Sequence, residues 1–267
     1  MSFNGGYQSD GSVVDATELI AGIAKIGTQG QVNTGTNNTT IVTPLKLSTL
    51  LNLVLKYVSG QGNNSIIPKQ GIDNIADAAF ATIAAGDHNH AGAIYSSAQG
   101  NWAEALTYNE AAKAGGGFYN VKGSAQSSML NLFNIIPSSS GSVWGVVPDG
   151  NGFGSANKWA PPNNCVIQFR ALFTVTQNSG SFGTTGDSWT GLYEGAVKNT
   201  NGSLAWLGGL PVLREVRQDA SFTPSTGFVI SANEIIGFVG GMSDRTLHAN
   251  IAITLSQTKF GISSGVG

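Results

Sequence analysis

Two runs in the second half of the chain alternate apolar and mostly polar residues with a period of two, and this alternation constrains the fold more than any other feature. Ile167, Phe169, Ala171, Phe173 and Val175 alternate with Gln168, Arg170, Leu172 and Thr174. Leu247, Ala249, Ile251, Ile253 and Leu255 alternate with His248, Asn250, Ala252 and Thr254. Successive side chains of a strand point to opposite faces, so each run predicts a strand with one buried face. Shorter strand candidates lie between them, at 192–198, 204–207, 212–217, 227–231 and 235–239. Asn199-Thr200-Asn201-Gly202 has the composition of a hairpin turn. Short strands, polar turns and no helical period predict a jelly-roll-like β-sandwich head over 143–267. No solenoid repeat is evident.

Upstream, the spacing changes. Val13, Val14, Leu19, Ile20, Ile23 and Ile26 allow a short amphipathic helix, and a polar tract follows from Gly27 to Thr40. Thr43 caps and Pro44 opens a second helix, whose apolar stripe is Leu47, Leu50, Leu51, Val54, Leu55 and Val58. So apolar a helix must bury its stripe against another helix, of its own or a second copy. An Ala-rich pattern from Ile72 through Ile75, Ala79, Phe80 and Ile83 reads as another helix, and Trp102–Ala114 as a short one. Gly115-Gly116-Gly117 and Ser138-Ser139-Ser140-Gly141 read as linkers. The expected fold is mainly β with a small α-helical N-terminal part. Its expected divisions are an attachment segment at 1–40, a helical and irregular shoulder at 41–142, and the β head at 143–267.

Composition then narrows the function. Only 10% of the 267 residues are charged, against about 25% in ordinary soluble domains, yet 41% are hydrophobic. A core is available, and disorder is not indicated. With a formal net charge of −2 and no cluster of Lys and Arg, nucleic acid is not an expected partner. Sparse charge suits a chain that hides surface between copies. Asp10, Asp15 and Glu18 stand where a secretory leader would be apolar, and no apolar run is long enough to span a bilayer. Synthesis in a cytoplasm without membrane insertion is expected. Cys165 is the single cysteine, so no intrachain disulfide forms, and a buried thiol in a strand is expected.

Two of the three histidines form Asp87-His88-Asn89-His90. In an extended strand His88 and His90 project to one side. Around a threefold axis six such nitrogens make an octahedral set, suited to iron or another transition metal rather than tetrahedral zinc. On its own, a His-x-His of this kind is more often an exposed polar turn. Gly86–Gly92 (GDHNHAG) resembles the His-x-His segments of phage long-tail-fibre tips, in which paired histidines of three chains line the axis and bind metal. The stretch GQVNTGTNNTTIVTPLKLSTLL (30–51) is similar to a recurring tail-fibre sequence. Val32, Asn33, Gly35, Thr36, Val42, Thr43, Pro44 and Leu47 match it, and Asn37 and Asn38 replace its acidic pair. These resemblances cover roughly residues 20–95. They imply a homotrimeric bacteriophage tail fibre, made in the host cytoplasm and working in the virion tail. Its N-terminus would join other tail or baseplate proteins. One histidine pair would support one ion per trimer.

The head is expected to bind a host-surface glycan or protein. Trp189, Tyr193 and Trp206 lie among Thr, Ser, Asn and Gly, a setting that suits stacking on sugars, although large aromatics more often fill a core or a trimer interface. No enzyme is expected: Asp187, Glu194, Glu215, Asp219, Glu234 and Asp244 are scattered, and no nucleophile motif or phosphate loop occurs. No catalytic residue is assigned. The alternatives are a structural fibre, baseplate or collar component that binds no receptor, and a tailspike-like glycan hydrolase.

Overall fold

The computed structural model describes Leu47 and residues 57–261, apart from 70, 139–141, 155–156 and 221. The chain divides between Lys56 and Tyr57, and the described residues other than Leu47 belong to the second unit. The 1–40 segment, the Val13–Ile26 helix and most of the Thr43–Val58 helix lie outside the described residues. Leu47 is helical and exposed, whereas Tyr57 and Val58 stand in a strand.

Where the sequence pattern suggested helices, the chain forms a β-solenoid. Its strands are β1 (Tyr57–Ser59), β2 (Ile66–Pro68), β3 (Ile75–Ala76), β4 (Thr82–Asp87), β5 (His90–Ala91), β6 (Ser97–Asn101), β7 (Glu104–Ala105) and β8 (Ala111–Ala114). Ile66, Thr82, Ser97 and Ala111 stand in parallel register on β2, β4, β6 and β8. Ile75, His90 and Glu104 do the same on β3, β5 and β7. One rung is thus roughly 15 residues, a repeat whose units bury their core only by stacking.

Alanine spacing explains why these segments carry a helix-like pattern. Ala76, Ala91 and Ala105 from one sheet meet Ile83, Ala98 and Ala112 from the other, with Ala81 from the turn before β4, all buried. Small side chains line a narrow interior between two short sheets, and alanine is also the best helix former. Local propensity is overridden here by rung stacking. The helices expected over 72–83 and 102–114 are therefore strands and turns, and the solenoid repeat not evident in the sequence is present.

Two columns hold the rungs at the corner that carries the histidines. Gly86 and Gly100 have φ of +96° and +101°, and a Cβ on either would collide with a carbonyl of the next rung. Asn74 Nδ2 donates to the Gly86 carbonyl at 2.6 Å, and Asn74 Oδ1 accepts from the Asn89 amide at 3.0 Å. Asn89, fully buried, repeats the device one rung on. Its Nδ2 donates to the Gly100 carbonyl at 2.8 Å, and its Oδ1 accepts from the Ala103 amide at 2.9 Å.

Long antiparallel strands continue the solenoid sheet. These are β9 (Ala125–Ile136), β11 (Cys165–Gly180), β12 (Ser188–Thr200), β13 (Ser203–Trp206), β14 (Val212–Gln218) and β17 (Arg245–Lys259). The order β1-β2-β4-β6-β8-β9-β17-β11-β12-β13, with β14 also on β12, makes one 11-stranded sheet. β10 (Val143–Val146), β16 (Glu234–Gly240) and β15 (Thr226–Ser231) form a small sheet that packs on the long strands. Phe228 of β15 meets Phe169, Phe173 and Tyr193 of the large sheet at centroid distances of 5.3, 5.2 and 5.9 Å. Each such ring, fully buried, contributes about 1.5–3 kcal/mol.

The strands read from alternation are all present. β11 and β17 bury Ile167, Phe169, Ala171, Phe173, Val175 and Leu247 to Leu255 on one face, as expected. Asn201 and Gly202, with φ of +50° and +85°, join β12 to β13 as the two-residue hairpin turn expected there. The jelly-roll-like sandwich is not what these strands form, because the head shares its main sheet with the solenoid. Nor does the boundary expected at 142/143 separate one sheet from another: β9, before it, pairs with β17 from Ala125 to Ile136. Among the described residues no helix is long and apolar enough to cross a membrane.

Candidate functional site

His88 and His90 occupy different settings. His88 has φ of +55°, so the extended run needed to place both rings side by side is absent. Its ring lies flat on Trp102, with centroids 4.2 Å apart, and its Nδ1 is 3.2 Å from Asp73. His90 stands on β5 with Nε2 3.3 Å from Asp77 and Nδ1 3.8 Å from Glu104. Within one chain the two rings thus have separate partners and are not presented as a pair on one strand face. Among the described residues no three His, Cys, Asp or Glu side chains gather as metal ligands.

His90 belongs instead to a charged cluster between solenoid and head. Glu104 also receives Lys259 Nζ at 2.6 Å. Glu104 is the largest influence raising the His90 pKa above its usual 6.5; burial opposes it and Asp77 adds to the rise. At 3.8 Å the His90–Glu104 contact is an ion pair rather than a hydrogen bond. Burial works to raise Glu104, but His90 and Lys259 outweigh it and hold that carboxyl below its usual 4.5. A raised histidine value stabilises the fold fully below pH 6.5 and loses that contribution as pH rises through the folded value. We expect the melting temperature to fall from about pH 6 to about pH 8 more in the native chain than in His90→Gln, measured by thermal scans in matched buffers. Parallel scans would remove His90 from this account.

Trp189 and Tyr193 are buried in the head core, and Trp206 packs at its margin. Tyr193 Oη donates to the Thr226 carbonyl at 2.8 Å. Trp189 and Tyr193 form no open sugar platform, because the inner face of β12 is covered by the small sheet, whereas Trp206, on β13, is partly buried. Cys165 is buried as expected, and burial pushes its thiol up to about 11. Several acidic residues of the head have structural partners. Glu194 pairs with Arg170 and Arg214, Glu234 with Lys158, and Asp219 accepts from the Ser188 amide. Two carboxyls of opposite tendency, Glu104 and Glu110, do share a crevice; burial raises Glu110. That space is about 10 Å³, room for one water and not for a sugar ring.

The candidate that emerges lies on the opposite turn of the solenoid. Each rung closes there in a four-residue turn, with Ser65, Ala81, Ser96 and Glu110 amides donating to the Gly62, Ala78, Ala93 and Thr107 carbonyls. The third turn residue is left-handed every time: Asn64, Phe80, Tyr95 and Asn109, at φ of +55°, +57°, +58° and +59°. Asparagine tolerates that region, whereas for other L-residues it costs about 1–2 kcal/mol each. Phe80 and Tyr95 nonetheless occupy it, 44% and 51% exposed, with rings stacked at 5.0 Å. Tyr108 meets Tyr95 edge-on at 5.6 Å. One stacked pair returns about 0.5–1.5 kcal/mol, less than two strained residues cost. An exposed, strained position of this kind points to a function.

The signal for this site was in the sequence. Ala76-Asp77-Ala78-Ala79-Phe80, Ala91-Gly92-Ala93-Ile94-Tyr95 and Ala105-Leu106-Thr107-Tyr108-Asn109 share a leading alanine and an aromatic at or next to the end. Their spacing equals the rung.

No protein-family model and no curated protein sequence matches the chain. Among solved structures, it is similar to the Acinetobacter baumannii phage AM24 tailspike protein, with a TM-score of 0.34 and 6% identity over 69% of this chain and 34% of that one. The Acinetobacter phage vB_ApiP_P1 tailspike protein gives 0.22 and 14% over 50% of this chain and 20% of that one. Likeness this slight fixes neither fold nor activity.

Proposed function

We propose that this chain is a bacteriophage tail-fibre protein that adsorbs the virion to a molecule on the host surface. It works without catalysis, as a homotrimer in the virion tail, with its N-terminal segment attached to other tail or baseplate proteins. The observation that carries the reading is the exposed Phe80–Tyr95 pair, held in strained backbone on a rigid β frame. The tail-fibre resemblance of 30–51 supports it. Receptor contact is assigned to the solenoid rather than to the head, since Trp189 and Tyr193 are core residues. Three copies on one frame gain avidity that one weak site lacks. His88, stacked on Trp102, and His90, between two carboxylates, are assigned no metal.

The test is adsorption. Full-length protein, shown by light scattering to have the mass of about three chains, is labelled and added to candidate host cells. Saturable binding that blocks phage adsorption is expected. A protein that binds no host cell, yet is built into the virion, is the structural component of the alternative reading.

A further inference from the structure

We infer that the turn column Asn64–Phe80–Tyr95–Asn109 is a platform for a neutral, linear glycan running along the solenoid axis; this rests on the adsorption reading above. Adjacent rungs lie about 4.8 Å apart, so the four side chains form a row of roughly 14 Å. The apolar centre is Phe80 and Tyr95, braced by Tyr108. At either end stands an exposed amide, Asn64 or Asn109. A sugar chain presents apolar C–H surface interrupted by hydroxyl groups. Its C–H surface packs on the rings, and each amide both donates to and accepts from hydroxyls.

Charge selects the class of glycan. None of the four positions is charged, and neither is Tyr108 at neutral pH. An acidic polysaccharide would call for Arg or Lys in the row. Shape selects against a protein receptor. A specific protein interface buries about 800 Å² on each partner, whereas this is a ridge one residue wide on each rung. Strain supplies the remaining argument. Asparagine, the residue that suits this backbone, is used at both ends, and the two middle rungs forgo it for aromatic rings.

The decisive variant is Phe80→Asn with Tyr95→Asn, which gives the middle rungs the side chain of the outer ones. It removes the rings and relieves the backbone, so its melting temperature is expected to equal or exceed that of the native chain. Binding is read on host cells that are untreated, periodate-oxidised or protease-treated, and on immobilised neutral polysaccharides such as dextran, mannan and galactan. Expected are periodate-sensitive, protease-resistant cell binding, capture by at least one neutral polysaccharide, and a loss of about tenfold or more in the double variant. Unchanged binding by a folded double variant overturns the platform and leaves the adsorption reading intact. Protease-sensitive, periodate-resistant binding overturns the glycan in favour of a protein receptor. Absence of cell binding by the native chain overturns the adsorption reading, and the platform with it.

Discussion

Gly100→Ala is expected to destabilise the solenoid by more than about 4 kcal/mol, beyond the range of ordinary substitutions. At φ of +101° any side chain is strained, and the new Cβ would lie 1.9 Å from the Ala114 carbonyl oxygen. Backbone stands there, not the end of a flexible side chain. Relief would require β6 and β8 to separate, and their pairing joins the solenoid to the long strands through β9. The matching control is Gly115→Ala, whose Cβ meets nothing within 4 Å. Circular dichroism melts of the full chain should show a large drop for Gly100→Ala and almost none for Gly115→Ala. Equal melts would mean that the rungs do not approach each other so closely at this corner.

The contrast between those two glycines shows where sequence reasoning stops. Both stand in glycine-containing polar stretches, and only the stacking of one rung on the next tells them apart. β11 and β17 were legible because each keeps one face apolar and most of the other polar throughout. β9 was not. Its inner face begins with Gln126 and Ser128 and turns to Leu130, Leu132 and Ile136, while its outer face carries exposed Met129, Phe133 and Ile135. Polarity changes face along the strand, so no single alternation marks it. Its register is fixed by pairing with β8 on one side and with β17, far away in sequence, on the other.

The candidate site follows the same division. Aromatic residues near polar turns are legible in the sequence, but burial decides which of them meet solvent. Trp189 and Tyr193 lie on the face of β12 that the small sheet covers, a relation no local pattern encodes. Phe80 and Tyr95 looked unremarkable beside them, Phe80 as one more position on an Ala-rich helix. Their distinction is an exposed aromatic ring on a left-handed turn position shared with Asn64 and Asn109, visible once rungs are superposed. At the other corner the histidines stand out by type, whereas the structural weight falls on the residue between them.

That residue, Asn89, carries the second large effect. Asn89→Leu keeps the volume and removes three hydrogen-bonding contacts, to the carbonyls of Gly100 and Ala85 and from the amide of Ala103. The side chain is fully buried, so water does not replace them. A buried polar group left unpaired costs about 1–3 kcal/mol. Losing the Gly100 carbonyl and Ala103 amide partners together should therefore cost roughly 2–6 kcal/mol. His88→Ala removes a stack on Trp102 and a contact with largely exposed Asp73, and should cost no more than about 1–2 kcal/mol. Urea unfolding of the full chain separates the two, since the midpoint should move far more for Asn89→Leu at a similar slope. The order of effects carries the interpretation. If His88→Ala were the more damaging, the His-x-His segment would be chosen for its imidazoles, and an axial histidine role would return. If Asn89→Leu is, the segment is a rung corner in which a buried amide staples two rungs of backbone together, and the histidines decorate its outside.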